Sequence, residues 1–574
     1  MKRHWIAAML FLSAAAPAVS ALAPGEVPEG LTFKDIRYLS RTLEDFGSPT
    51  ALLLLFHTAD DAEALKRLDQ LAESAPAGAL VAAVDVTPDA SIVEVAAHAL
   101  ELDGDYLVLK DFDGVAARQL GIEKTPSAVL LDAAKSLRYR GPLDDASAAL
   151  SALLAGQPIP KADLPQSGKP LGSLALPDGK NLNFAEHIAP IINQHCVACH
   201  TPGEAAPFSL RTYKQVAARA DMIAEVVREE RMPPWYAAPE HGKFINERRI
   251  PDEDRHKLLA WLRDGMEKGN LRNAPEPPPA PESEWHIGKP DLILEAKEED
   301  EIPATGYVDY KYVTLPHQFA EDTWVQGIEL MPSNPSVVHH VNLAYNVADS
   351  NYEEKNNFLT GRVPGNPPVD IPGPVAMLIP RNSVLFLQIH YVTTGKEQKN
   401  RMRVGIRYAE GNILKRVYYQ RLRPADINIP PGVARHRMES SWTVDRNALA
   451  LALFSHMHVR GRDMSFFAKY PDGATETLLV IPNYSFDWQL AYQYVPATKT
   501  FPKGTELRTV SHYDNSPFNA YNPDPSVTVT YGEQTEDEMN DAYVFYLDAD
   551  EFLNITVDGE TGREIKGDAL ARAK

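Results

Sequence analysis

The sequence predicts a multidomain chain: an α/β domain, an all-α segment, and a long β region read as two antiparallel β-sandwiches. Three observations carry this. Strand and helix patterns alternate over residues 24–156, which implies a largely parallel sheet with covering helices. Residues 180–270 carry helical periodicity. Residues 287–556 hold short alternating runs with frequent turns, and their length suits two sandwiches, 287–435 and 436–556. With 574 residues and 44% hydrophobic residues, the chain can bury several cores. Its net charge of −21 argues against a nucleic-acid backbone or an anionic membrane surface as partner.

In chain order, residues 1–21 read as a secretory signal. Lys2 and Arg3 form a basic start, Ile6 to Leu12 an apolar core, and Val19-Ser20-Ala21 a small-residue cleavage site. The apolar run is too short to span a bilayer, so a periplasmic or secreted protein without membrane insertion is expected. Within 24–156, Ala51 to Phe56 reads as a buried strand and Ala62 to Ala72 as a helix. Ala79 to Val86, Ser91 to Leu100 and Ala128 to Leu131 continue the alternation. Two proline-rich stretches cut the chain, at 157–170 and within the linker 271–286, and the second reads as an extended spacer. Residues 557–574 form a tail.

The chain has two cysteines, too few for a disulfide scaffold, and both lie in Cys196-Val-Ala-Cys199-His200. Thiols at this spacing can each form a thioether with a haem vinyl, and the adjacent imidazole can ligate the iron. Flanking helices are expected at Phe184 to Gln194 and Pro251 to Leu262. The arrangement resembles class I cytochrome c. That resemblance implies a covalent haem c, with Met232 of Arg231-Met-Pro-Pro-Trp235 as second axial ligand; Met222, mid-helix, is the competitor.

The β region carries His339-His340, Gln388-Ile-His390, His456-Met-His458 and an acidic segment ending in Met539. His456 and His458 alternate along a strand, so both imidazoles face one side. Adjacent His339 and His340 would point to opposite faces of a regular strand. For both to hold one metal, the backbone must bulge or end there. Imidazoles suit copper in either oxidation state, and a thioether favours Cu(I).

This ordered set closely resembles the copper type II, ascorbate-dependent monooxygenases, the peptidylglycine α-hydroxylating and dopamine β-monooxygenase family. Gly461-Arg462, Asn483-Tyr484 and Ser511-His-Tyr-Asp-Asn515 extend the match over roughly 287–548. The resemblance implies two coppers. His339, His340 and His390 would hold the electron-storing one. His456, His458 and Met539 would hold the one that binds O2 and abstracts hydrogen. Gln388 would lie near the path between them, and Tyr543 at the active site. Departures stand at Phe454 and Asp541, where the peptide-amidating branch has an arginine and an asparagine. An anionic peptide terminus is therefore expected to find no cation at Phe454 and a like charge at Asp541.

Gly121-Ile-Glu-Lys-Thr125-Pro126-Ser-Ala-Val-Leu-Leu-Asp132 resembles the thioredoxin/redoxin fold, in which such a proline is usually cis before an edge strand and faces catalytic cysteines. Here the first buried strand ends in His57-Thr-Ala-Asp-Asp61, without a thiol, so disulfide exchange is excluded and His57 reads as a strand-end residue. Together these readings imply an exported copper monooxygenase acting on a small organic substrate with O2. A fused haem would supply electrons from a periplasmic donor, with ascorbate or another one-electron reductant possible. The alternative is a non-catalytic haem and copper protein for electron transfer or copper binding.

Overall fold

The computed structural model describes residues 22–280, 283–347, 357–363 and 366–566. The expected signal segment, the end of the tail and residues 281–282 of the linker lie outside them. The chain divides into two compact units, Met1–Ala90 with His98–Leu174, and Ser91–Ala97 with Ala175–Lys574. No described helix is long and apolar enough to cross a membrane.

The first unit is a mixed sheet built from β1 (Thr32–Asp35), β2 (Ser40–Thr42), β3 (Ala51–His57), β4 (Ala79–Asp85), β5 (Leu107–Lys110), β6 (Ser127–Asp132) and β7 (Leu137–Gly141). Their order is β2-β1-β5-β4-β3-β6-β7. Strands β3, β4 and β5 are parallel, β6 runs antiparallel to β3, and β7 turns back antiparallel to β6. Leu52 to Phe56 are fully buried, as an unbroken apolar run at the centre of such a sheet requires. Helices α1 (Ala62–Glu73) and α2 (Leu143–Leu154) pack on it. The Thr125–Pro126 peptide is cis. This is a thioredoxin-like arrangement, with one correction: β6 lies inside the sheet between β3 and β7, not at its edge.

The first proline-rich stretch is not a free spacer. Arg140 N donates to Ala162 O and Leu164 N to Arg140 O, both at 2.9 Å. The Arg140 guanidinium grips Asp163, and Gln166 Oε1 accepts from the amides of Glu123 and Lys124 at 2.8 and 3.1 Å. Prolines set these residues extended, and the backbone then pairs along the unit, which runs to Leu174 instead of ending at 156.

In the second unit, residues 175–273 carry α3 (Ala189–His195), α4 (Tyr213–Ala217), α5 (Ala220–Arg228) and α6 (Asp252–Arg263), with a π-helical turn at Phe184–Ile188. Phe184 packs against Tyr213 and Trp261 at ring distances of 5.4 and 6.0 Å. A free-standing all-α domain is not evident. The helices are short, and residues 235–249 spread over the β region. Trp235 meets Tyr492 at 5.0 Å, Phe244 meets Tyr494 at 5.3 Å, and Asn246 hydrogen-bonds the backbone of Ala491 and Gln493.

The β region is organised by one long sheet and two smaller ones. Its main strands are β8 (Leu292–Glu295), β9 (Lys311–Phe319), β10 (Thr323–Pro332), β11 (Val338–Val347), β12 (Phe358–Arg362), β13 (Val375–Ile379), β14 (Ser383–Tyr391) and β15 (Met402–Tyr408). They continue as β16 (Lys415–Leu422), β17 (His436–Thr443), β18 (Ala448–Met457), β19 (Gly461–Lys469), β20 (Thr475–Ile481), β21 (Ala491–Gln493), β22 (Glu506–Tyr513) and β23 (Asn540–Asp548). The long sheet runs β8-β15-β10-β13-β16-β23-β18-β21, and the four-stranded sheets are β9-β14-β11-β12 and β17-β22-β19-β20. Val325, Ile328, Val404 and Ile406 from the long sheet pack against Val341, Leu343, Leu387 and Ile389 in one core, so the first half is a sandwich. β16 lies before the expected boundary at 435, yet it pairs with β23 over six residues and with β13 over only two.

Candidate metal centre

The alternation Leu385-Phe-Leu-Gln-Ile-His390 turns Leu385, Leu387 and Ile389 into the core. Gln388 and His390 therefore point off the opposite face. On the neighbouring β11, His340 stands directly opposite His390 and Asn342 opposite Gln388. Register shifts between Val338 and His340, so His339 sits in a bulge. That bulge brings His339 round to the same side as His340, as two adjacent ligands require. Ring centroids of His339, His340 and His390 form a near-equilateral triangle with sides of 5.4, 5.0 and 5.0 Å. A nitrogen from each lies within 4.8 Å of the others.

His456 stands near the end of β18 and His458 just beyond it, with ring centroids 5.2 Å apart. Strand β23 pairs with β18 so that His456 faces Asp541 and Met457 faces Asn540. Continuing this register puts Met539 opposite His458, and Met539 is buried. The buried Glu538 carboxylate fixes the corner by accepting from the amides of His458, Arg460 and Met539. Gly461 has no room for a Cβ, which would lie 2.7 Å from Met457 and 3.0 Å from Tyr484. The Tyr484 hydroxyl in turn bonds the backbone of Met457.

Outer hydrogen bonds set which nitrogen each imidazole leaves open. His339 donates through Nε2 to Asp487 at 3.0 Å, leaving Nδ1, which faces His340 Nδ1 at 3.1 Å. His456 donates through Nδ1 to Gln489 Oε1 at 2.7 Å, and Gln489 is oriented by its own bond to Phe486 O. His458 donates through Nδ1 to Asp537 O at 3.2 Å. These last two rings are left with Nε2 as lone-pair donors, the arrangement in which an oriented imidazole binds a metal. His340 Nε2, His390 Nδ1 and His458 Nε2 are buried without any hydrogen-bond partner. Burial and the neighbouring imidazoles push His340 well below the usual histidine range and His390 down to about 3, so both are neutral. Burial likewise lowers His456 and His458. Neutral, oriented imidazoles with unsatisfied nitrogens fit copper.

Sequence reasoning missed the loop 483–489. The Phe486 ring lies 4.8 Å from His339, 6.0 Å from His340, 5.8 Å from His390 and 6.0 Å from His458. His340 and His456 are themselves only 6.1 Å apart by ring centroids. The two expected ligand sets thus form one five-imidazole cluster around a phenyl ring. Gln388, buried beside it, bonds Asn342 and Tyr312 at 3.0 Å each. Tyr543 sits in an aromatic group with Phe358, Phe454 and Tyr419. Only Asn483-Tyr484 in the sequence pointed at this loop.

Around the cysteine motif, Cys196 caps α3 and the chain turns so that His200 N donates to Cys196 O at 2.9 Å. His200 Nδ1 donates to Phe208 O at 3.0 Å, which leaves Nε2 for a ligand. Burial pushes the Cys196 thiol up to about 12, and Cys199 is raised by the same cause. Both are therefore protonated thiols near neutral pH. His200 and the two thiols fit a covalent haem. Met232 is half-buried, whereas the competitor Met222 is 52% exposed.

No family model matches the chain, and no curated protein matches it. Solved structures resemble part of it. A hypothetical protein from Sinorhizobium meliloti is 21% identical, with 27% of this chain and 97% of that one covered at a TM-score of 0.24. A thioredoxin-like protein from Aeropyrum pernix is 15% identical over 22% of this chain and 88% of its own, at a TM-score of 0.20. A secreted disulfide oxidoreductase from Mycobacterium tuberculosis is 18% identical over 21% and 95%, at 0.19.

Proposed function

We propose that the chain is an exported copper-dependent monooxygenase that hydroxylates a C–H bond of a small organic substrate with O2, drawing electrons through its own c-type haem. The observation that supports this reading is the five-imidazole cluster, three of whose nitrogens are buried without a partner, with Met539 next to Asn540, the residue that faces Met457. Bound copper would supply one-electron redox chemistry and a position for O2, and bound haem c a relay of single electrons. The residues do the rest. His339, His340 and His390 form an all-imidazole set that tolerates both copper states. His456, His458 and Met539 form a softer set. Two sets of different softness serve a catalyst better than a copper store.

A physical link joins the haem segment to the cluster. Met232 is followed three and four residues on by Trp235 and Tyr236. Tyr236 is fully buried and hydrogen-bonded to Ser485, the residue before Phe486. The Met232 segment is thereby tied to the ring that touches four of the five histidines.

The test is metal analysis of the copper-loaded protein together with mass spectrometry of metabolites in cultures with and without it. Two coppers per chain and a product heavier by one oxygen are expected. Zero or one copper in folded protein would end the monooxygenase reading.

A further inference from the structure

The long sheet carries a feature that the metal ligands do not use. β13 and β16 pair only at Val375 with Lys415 and Ala376 with Arg416, and then part. Along the freed edge of β16 lies a cavity of about 470 Å³, within the range of small-molecule sites. Its walls are aromatic, from Tyr345, Phe358, Tyr419 and Phe545. Three arginines, Arg416, Arg421 and Arg423, line it as well, and among the described residues no carboxylate does. In a chain of net charge −21 this is an unusual concentration of positive charge.

Strand register ties the cavity to the cluster. Across β18, β23 and β16, Phe454 faces Tyr543 and Tyr543 faces Arg421. One row further, His456 faces Asp541, and continuing the register puts Arg423 beyond it. Arg423 holds Asp541 with two hydrogen bonds, 2.8 and 3.2 Å, while Arg421 reaches it at 3.4 Å. Glu551 is occupied by the Arg416 amide and the Tyr418 hydroxyl. Arg416 Nε is buried without a partner. The expectation of a like charge at Asp541 is therefore corrected: Arg421 and Arg423 hold its carboxylate.

We infer that this cavity binds an organic anion with a flat apolar body, an aryl carboxylate, held by Arg421 and Arg416 with its ring among Phe358, Tyr419 and Phe545. Guanidinium takes carboxylate through paired hydrogen bonds, and aromatic walls favour a stacked ring. The inference rests on the proposed monooxygenase reading only in calling this ligand the substrate. Binding itself needs no copper.

The experiment is calorimetric titration of the copper-free full chain with phenylacetate, phenylacetamide, phenethylamine and inorganic phosphate. Phenylacetate should bind about tenfold or more tightly than the neutral amide, because it gains charge-assisted bonds. Phenethylamine should give no binding, and phosphate should not displace phenylacetate at equal concentration. Arg421→Gln and Arg416→Gln should each weaken phenylacetate about tenfold while leaving the amide unchanged. If Arg421→Gln loses its near-UV circular dichroism, Arg416→Gln carries the test. Equal affinity for acid, amine and amide, or no binding to protein with native dichroism, overturns the inference. Displacement by phosphate would mean a bare anion site and overturn the aryl part. Two coppers per loaded chain with no phenylacetate binding would sink this inference and leave the copper reading standing.

Discussion

Two rows of titratable side chains lie on strands of this protein, and they are finished in opposite ways. In the N-terminal sheet, His57, Asp85 and Lys110 stand side by side at the carboxyl ends of β3, β4 and β5. All three are buried. Lys110 Nζ donates to Asp85 at 2.6 Å and to Thr87 O, and His57 Nδ1 donates to Thr58 O at 3.2 Å. None of the three has a buried side-chain atom lacking a partner. Four of the five histidines of the cluster are buried too, yet three of their nitrogens bond to nothing in the protein. A satisfied buried row stabilises a fold, whereas an unsatisfied one awaits a ligand. Burial and clustering alone do not tell these cases apart; the accounting of lone pairs does.

The largest expected effects break the contrast outright. His456→Ala or Met539→Ala should remove or loosen one of two coppers and abolish oxygen chemistry. His390→Ala should remove the other and stop turnover, read by metal analysis and O2 uptake. None of these changes should unfold the copper-free protein, although Met539→Ala leaves a cavity and His456→Ala frees Gln489. Asp85→Ala should do the reverse. Copper content stays at two, while the N-terminal unit loses about 3–5 kcal/mol in denaturant unfolding, because Lys110 is left as an uncompensated buried charge. Copper loss in Asp85→Ala, or unfolding in His456→Ala, would erase the distinction.

A smaller effect concerns electron delivery. Reduced haem should be reoxidised by O2 only when the site of His339, His340 and His390 holds copper, at a rate nearly independent of protein concentration. Stopped-flow absorbance would show this, with His390→Ala as the blocked control. Ser485→Ala should slow the same phase several-fold without changing copper content, since it cuts the tie from Tyr236 to the Phe486 loop. Equal rates in wild type and His390→Ala would assign the haem to another partner.

Local patterns carried much of this architecture. The apolar run at 51–56 announced a central strand, and its actual bounds are Ala51–His57. The His339-His340 pair demanded a bulge, and the register shifts there. Other features were illegible for a physical reason: they depend on pairings between residues far apart in sequence. Arg421 and Arg423 acquire their meaning from Asp541, some 120 residues on. Phe486 acquires its meaning from His339 and His390. No periodicity within a short window encodes either contact. The proline-rich stretch at 157–170 misled because its composition fits both a free linker and an extended segment laid along a domain.

The smallest effect is a pH dependence within the satisfied row. Burial lowers the His57 pKa from its ordinary value, and Asp85 only partly opposes this, so His57 is neutral in the fold. When the unit unfolds, His57 regains an ordinary pKa near 6.5. Below that value the unfolded chain binds a proton that the folded unit refuses, so stability falls as pH drops from about 6.5 towards the folded pKa. One such group contributes at most about 1.4 kcal/mol per pH unit in that window. Asp85 titrates lower: burial raises its pKa, but Lys110 and His57 outweigh this and hold it below the ordinary carboxylate value. Its own loss of stability therefore begins only near pH 4 and below, clear of the upper part of the His57 window. Thermal unfolding of wild type and His57→Gln from pH 7 to pH 5 should diverge, with the wild type losing more on acidification. Parallel curves would mean that His57 is protonated in the fold and shares its charge with Asp85, making the row an ion triad.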